Sequence, residues 1–185
     1  MELRQNWVAI CKYLLSEWKT HQDSPELCTL LMQQSMSYIL ASDNGSSPYS
    51  CLHNNLADES RSFYQSCFVE AASYGMHRHL QNKYFLWQMC YYLGYFPTYY
   101  PIFLVVEPDK VETRQKELLA HATKQFSGSH LFLPWITGIG YYEWLHELNS
   151  DQLMKVHSEI QEFDLEKNSV DEDIRELFLL PDSAE

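Results

Sequence analysis

Glycine and proline are scarce in this chain, six and seven among 185 residues. That excludes collagen-like and low-complexity architectures. Basic residues are few as well, 13 against 25 acids, for a formal charge of −12. A chain this acidic is not held on nucleic acid or on an anionic lipid surface by charge alone. The five cysteines, Cys11, Cys28, Cys51, Cys67 and Cys90, are an odd number, widely spread, and form no C-x-x-C pair. A secreted disulfide framework wants an even count in a shorter chain, so these read as buried free thiols in a reducing cytoplasm. The N-terminal stretch MELRQNWVAICKYLLSEW lacks a basic leader, a long apolar segment and a small-residue cleavage site. It is not expected to act as a signal peptide. Asn44-Gly45-Ser46, a glycosylation sequon in form, then reads as a turn.

Catalytic signatures are missing too. There is no G-x-x-x-x-G-K-[ST], no G-x-G-x-x-G and no G-x-S-x-G, and Gly138-Ile139-Gly140 reads as a bend. Eight histidines raise the question of a metal. His77 and His79, two apart, fall on different faces of a helix. Glu143-x-x-His146 is half of a di-iron carboxylate motif, and the required second E-x-x-H is absent. His146-Glu147 opens no H-E-x-x-H site, because position 150 is Ser. Cys67 or Cys90 beside a histidine is the remaining route to a nucleophile, without any supporting local pattern. The residues thus predict no catalytic group, no cofactor and no metal.

What is abundant is aromatic: 13 Tyr, 9 Phe and 5 Trp, within a composition that is 45% hydrophobic. Such a chain buries a sizeable core and is not disordered throughout. Tyr84 to Val106 carries no charge and has nearly the length of a membrane span. Pro97, Pro101, Gln88 and six tyrosines speak against one. The stretch reads as a helix to about Tyr95, then an extended piece over Tyr99–Val106 crossing a protein core.

Spacings of three and four place Leu3, Trp7, Ile10, Cys11, Leu14 and Trp18 on one face of a helix over 3–19. Ser24-Pro25-Glu26 starts a second helix, with Leu27, Leu31, Met32, Met36, Ile39 and Leu40 inward, ending at the loop 43–48. A third is predicted over Asp58–Tyr74, stopped by Gly75, with Phe63, Cys67, Ala71 and Tyr74 inward. A fourth follows over 77–95, with Leu80, Tyr84, Trp87 and Tyr91 inward. Asp109-x-x-Glu112 is a capping pattern for a helix to about Phe126, with Leu118, Leu119, Ala122 and Phe126 inward. Residues 131–148 crowd Phe132, Trp135, Tyr141, Tyr142 and Trp144 around Pro134, Gly138 and Gly140. Ser150-Asp151 caps a helix carrying Leu153, Val156, Ile160 and Phe163. Ser169-x-x-Glu172 caps a last short one with Ile174, Leu177 and Phe178. The fold class is mainly α: a single compact domain of about eight helices over 1–163, at most one or two short strands around 99–107, and an acidic C-terminal helix or tail over 164–185. The core is predicted on Trp7, Leu14, Trp18, Leu31, Phe63, Cys67, Trp87 and Phe126.

Charge is unevenly spread. Residues 1–142 hold 12 acids and 10 bases, a net of −2, whereas residues 143–185 hold 13 acids and 3 bases, a net of −10. Asp171, Glu172, Asp173 and Glu176 fall within two helical turns. They form either a solvated face or a steering surface for a basic partner. Aromatic excess also suits an interface, and Trp135, Tyr141, Tyr142 and Trp144 are the candidate contact residues beside those four acids. Tyr91, Tyr92, Tyr95 and Trp135 line either a ligand pocket or an aromatic core.

In general character, a small, acidic, helical chain without catalytic motifs resembles the accessory adaptors and chaperones of bacterial secretion systems, above all the adaptor subunits of the type IVB (Dot/Icm) coupling complex. The resemblance is one of size, charge and composition over the whole chain. It implies a protein that holds or presents another protein within a larger hetero-complex, cytoplasmic or peripheral to a membrane-bound assembly. The expected partner carries a basic or amphipathic helical segment, with no nucleic acid and no direct membrane insertion. Two other readings stay open: an acidic inhibitor or immunity protein blocking a basic enzyme, and a helical enzyme whose site is not visible in sequence.

Overall fold

A computed structural model describes residues 2–43, 58–97, 100–133 and 147–162. These form seven α-helices and one 3-10 turn, with no strand among the described residues. The helices are α1 (Glu2–Thr20), α2 (Pro25–Asp43), α3 (Asp58–Arg78), α4 (Lys83–Tyr95), α5 (Tyr100–Val105), α6 (Val111–Gln125) and α7 (Ser150–Glu162); the 3-10 turn is Pro108–Lys110. No described helix is long and apolar enough to cross a membrane. Backbone contacts group the chain into two compact units, Met1–Leu80 and Gln81–Glu185.

In the first unit α2 lies between its neighbours, packing most extensively on α3 and also on α1. The start of α2 is the one its sequence predicts. The Leu27 backbone N–H donates to Ser24 Oγ at 3.2 Å, and Ser24 Oγ donates to Glu26 Oε2 at 2.9 Å. Leu31, Met32, Met36 and Ile39 are buried as expected. So are Thr29, Gln33, Gln34 and Ser35, which leaves α2 covered on nearly every side over 28–39. The Thr29 and Ser35 hydroxyls return to their own helix, donating to the carbonyls of Pro25 at 2.6 Å and Leu31 at 2.7 Å.

Two expectations change on α1 and α3. Of residues 8–20 only Cys11 and Trp18 are buried; Leu14 is half-buried, and Ile10, expected inside, is 45% exposed. The inner stripe is narrower here than the apolar pattern suggests, with Cys11 and Trp18 two turns apart on it. On α3, Gly75 does not end the helix, which continues to Arg78 with Gly75 buried inside it. Its inward stripe is Tyr64, Cys67, Phe68, Ala71, Ala72 and Met76, while Phe63 is half-buried and leans edge-on against Tyr64 at 5.5 Å. Trp18 meets Tyr74 edge-on at 5.5 Å. Each large apolar side chain buried in this way contributes about 1.5–3 kcal/mol.

The second unit starts at a cap that sequence reading missed. Asn82 Oδ1 accepts from the Phe85 N–H at 2.9 Å, which sets the first turn of α4 at Lys83 rather than at 77. Ten consecutive residues, Tyr84 to Leu93, are buried. A helix apolar all round is one that is covered all round. Trp87 and Tyr91 stack at 5.5 Å, and Phe96 meets Tyr91 edge-on at 5.8 Å. Gln88 satisfies its amide on Tyr92 OH at 2.9 Å.

The extended piece expected over Tyr99–Val106 is helical instead: α5 covers Tyr100–Val105, and the Val106 N–H donates to the Ile102 carbonyl at 2.8 Å. Pro101 lies in the first turn of α5, where a missing N–H breaks nothing, and Pro108 opens the 3-10 turn in the same way. The prolines therefore set starts of short helices rather than excluding helix. The Asp109-x-x-Glu112 cap is not used: the N-cap of α6 is Lys110, no side chain caps it, and Glu112 pairs with Lys116 at 2.5 Å. Val111, Leu118, Leu119 and Ala122 are the buried face of α6, which packs on α4. Phe126, expected in the core, is half-buried and stacks on the buried Phe132. On α7 the cap lies one residue earlier than Ser150-Asp151. Gln152 N–H donates to Asn149 Oδ1 and Asn149 N–H donates to Gln152 Oε1, both at 3.0 Å, a reciprocal capping box.

Candidate functional site

Two clusters of polar and nucleophilic side chains stand out, one in each unit. In the first unit, Cys11 on α1 and Cys67 on α3 are 0% and 2% exposed. Ser35 Oγ on α2 lies 3.7 Å from Cys11 Sγ. The Tyr64 phenol belongs to the same interior cluster and stacks on Tyr38 with ring centroids 3.7 Å apart. The hydrogen bond from Cys67 draws the Cys11 pKa below its ordinary value; burial opposes this, and Ser35 assists it. Cys67 is displaced upward by the same bond and by burial, so it keeps its proton. Burial, with the two thiols and Tyr38 close by, pushes the Tyr64 phenol up as well.

The other cysteines differ. Cys28 Sγ donates to the Ala71 carbonyl at 3.2 Å, and burial pushes its thiol up to about 12. Burial alone raises Cys90. Cys67 and Cys90, the two thiols of the expected route to a nucleophile, are both buried, 2% and 0% exposed.

The second cluster centres on Glu159 of α7. Its Oε1 accepts from the His130 backbone N–H at 2.8 Å, and His130 Nδ1 lies 3.3 Å from the same oxygen. Its Oε2 accepts from Ser129 Oγ at 2.5 Å and pairs with Lys83 Nζ at 3.3 Å. Lys83 is the first residue of α4, and Ser129 and His130 follow α6. One carboxylate therefore ties α7 to the start of α4 and to the turn after α6. Burial works to raise the Glu159 pKa, but the His130 N–H, the Ser129 hydroxyl and Lys83 together outweigh it and hold the carboxyl below its ordinary value. An open cleft of about 540 Å³ lies beside it, lined in part by Lys155, Ser158 and Gln125.

Serine, histidine and glutamate in one cleft suggest a hydrolytic triad, but the connectivity is different. A triad needs imidazole between nucleophile and carboxylate. Here Ser129 and His130 each meet the carboxylate directly, on different oxygens. A carboxyl held below its ordinary pKa also stays ionised and is a poor general acid at neutral pH. The arrangement is a clamp between structural elements.

Of the contact residues expected from sequence, Trp135, Tyr141, Tyr142, Trp144, Asp171, Glu172, Asp173 and Glu176 all lie outside the described residues. So do Glu143, His146, the Ser169-x-x-Glu172 cap, Cys51 and residues 44–48 of the loop expected over 43–48. Tyr91 and Tyr92 are 3% and 0% exposed and pack with Trp87 and Phe96 as core. His77 is exposed with Nδ1 2.7 Å from the Ser73 carbonyl, whereas His79 is buried with Nε2 3.2 Å from the Gln22 carbonyl. Among the described residues no group of three or more His, Cys, Asp or Glu side chains is placed to hold a metal ion. The clusters at Cys11/Cys67 and at Glu159 were both missed in sequence. Cys11 lies 56 positions from Cys67 and Glu159 lies 29 or more from each of its partners, and only the fold brings these segments together. No family model, curated protein or solved structure matches this chain.

Proposed function

We propose that this chain is a non-enzymatic protein-interaction module, an adaptor or chaperone subunit that receives an amphipathic, basic segment of a partner. The observation that carries the reading is the outer face of α1. Ile10 and Tyr13, one turn apart, are 45% and 63% exposed. Large apolar and aromatic side chains standing together in water are the usual anchors of a protein contact. The charge of −12 favours a partner of opposite sign and speeds its approach. In the Glu159 cleft the carboxylate is engaged by the His130 N–H, Ser129 Oγ and Lys83, the connectivity of a clamp that holds elements together. The likeness in size and charge to secretion-system adaptors is consistent with such a role within a larger assembly.

The test is recovery of the untagged full chain at native expression, as wild type and as an Ile10→Glu, Tyr13→Glu variant with unchanged far-UV circular dichroism. The expected result is one partner in fixed stoichiometry, with affinity weakened about 30-fold or more in the variant, the size of a hot-spot loss. A wild type that purifies without a stoichiometric partner, or a variant that binds as well, overturns the proposal.

A further inference from the structure

We propose that the cleft beside Glu159 binds a small phosphate ester, its phosphate held by Lys155 and Ser158 of α7 and Ser127 of the turn after α6, and a ring of the ligand laid against Phe126. The walls all belong to the second unit: the start of α4, the end of α6 with the turn that follows, and one face of α7. At about 540 Å³ the cleft has the size of a small-molecule site rather than of a lone ion. This inference stands independently of the partner-binding reading, which rests on α1.

Charge is the first observation. Lys83 and Lys155 line the cleft with one carboxylate, Glu159, so the site is positive whatever the state of His130. That is the reverse of the chain as a whole, whose formal charge is −12. The second observation is that the clamp leaves donors unspent. Lys155 stands one turn before Glu159 on α7, at a spacing where lysine and glutamate ordinarily pair. They do not pair here. Ser129, His130 and Lys83 engage Glu159, and Lys155 makes no hydrogen bond or ion pair through its side chain with another described residue. The Ser127 and Ser158 hydroxyls have no partner among the described residues either, and all three side chains are exposed.

The kind of donor decides the anion. A planar carboxylate is best met by the two-pronged guanidinium of arginine, and no arginine lines the cleft. An ammonium, which is a compact point charge, and two freely turning hydroxyls suit the tetrahedral oxygens of a phosphate. The first residue of α4, Lys83, also lies on the wall, and the positive end of that helix favours the same charge. Phe126 completes the site. Its ring is half-buried, stacks on Phe132 at 6.2 Å and leaves its remaining surface to the cleft. An apolar wall beside phosphate donors is of no use to a bare phosphate, whereas an ester carrying an aromatic ring covers it.

The test is isothermal titration of the full chain with phenyl phosphate and adenosine monophosphate, each against its dephosphorylated form, phenol or adenosine, and against inorganic phosphate. Amide chemical shifts locate the contact. At least one of the two esters should bind one to one and move amides of 125–130 and 155–159, the segments that line the cleft. Its dephosphorylated form and inorganic phosphate should each bind about tenfold or more weakly, as should that ester to a Lys155→Gln variant, an exposed change that leaves the Glu159 clamp intact. Binding should also weaken as salt rises. Any of four results overturns the proposal. These are no binding of either ester, equal affinity in Lys155→Gln, equal affinity for the dephosphorylated form or for inorganic phosphate, and a phosphoserine peptide bound in preference to both esters, which would assign the cleft to a protein ligand.

Discussion

Removing the Glu159 carboxylate takes an acceptor from three donors at once. Hydrogen bonds to a charged group contribute about 1.5–3 kcal/mol each, and the sum is smaller than its parts because the donors share one group. The Glu159 side chain is only 13% exposed and that of Lys83 20%, so water replaces the lost contacts poorly. Glu159→Ala should therefore destabilise the chain by about 3 kcal/mol. Glu159→Gln should cost less, about 1–2 kcal/mol, because its carbonyl still accepts from the His130 N–H and its amide can donate to Ser129 Oγ, leaving Lys83 as the main loser. Urea unfolding followed by circular dichroism gives the totals. Exchange of the His130 amide gives the local effect, expected to rise about 100-fold in the alanine variant. The pH dependence has a definite sign. The Glu159 pKa is depressed below its ordinary 4.5 in the fold, so its stabilisation is fully present above that value and is lost as pH falls through the depressed one. The gap between wild type and Glu159→Gln should hold constant near neutrality and close in that acid range. An alanine variant within about 1 kcal/mol of wild type, with unchanged exchange at His130, would refute the clamp.

Asn82→Ala removes the hydroxyl-free cap that orients the first turn of α4, and should cost about 1 kcal/mol by urea unfolding, with Asn82→Asp close to neutral. Phe68→Ala empties a fully buried position on α3 and should cost about 3–5 kcal/mol, whereas Phe63→Ala, half-buried, should cost less than about 2 kcal/mol. The reverse order in the same assay would mean that α3 presents a different face inward.

Most of the helices were legible because their signals are local. Ser24-Pro25 predicts α2 and uses the bond its sequence implies; apolar spacing predicts α6 and the buried Leu118, Leu119 and Ala122. The misreadings share a cause. Gly75 and the prolines are breakers only on average, and burial or position in a first turn overrides them. Asn82 falls inside the stretch that apolar spacing assigns to a helix over 77–95, and Asn149 stands one residue before the Ser150-Asp151 pattern, though Asn149-x-x-Gln152 is a capping box in plain sequence. Exposure was the harder matter. Ile10 and Cys11 are adjacent apolar residues on one amphipathic helix, and nothing in their spacing says which of the two a neighbouring helix covers. The candidate clusters were illegible for a stronger reason. A carboxylate that gathers a lysine, a serine and an amide from three segments leaves no pattern in any one of them.

The self-satisfied hydroxyls of α2 have a consequence for how the first unit is specified. Thr29 and Ser35 donate to carbonyls of their own helix, so those protons do not fix which way α2 faces. Directional contacts that do include Cys28 Sγ donating to the Ala71 carbonyl of α3 and Ser35 Oγ at 3.7 Å from Cys11 Sγ of α1. Around them the filling is pliable, with Met32 and Met36 fully buried on α2 and Met76 buried on α3. Unbranched thioethers adapt their shape at little cost, so the interior of the first unit tolerates a change of side-chain volume between these fixed points better than a core of branched residues would.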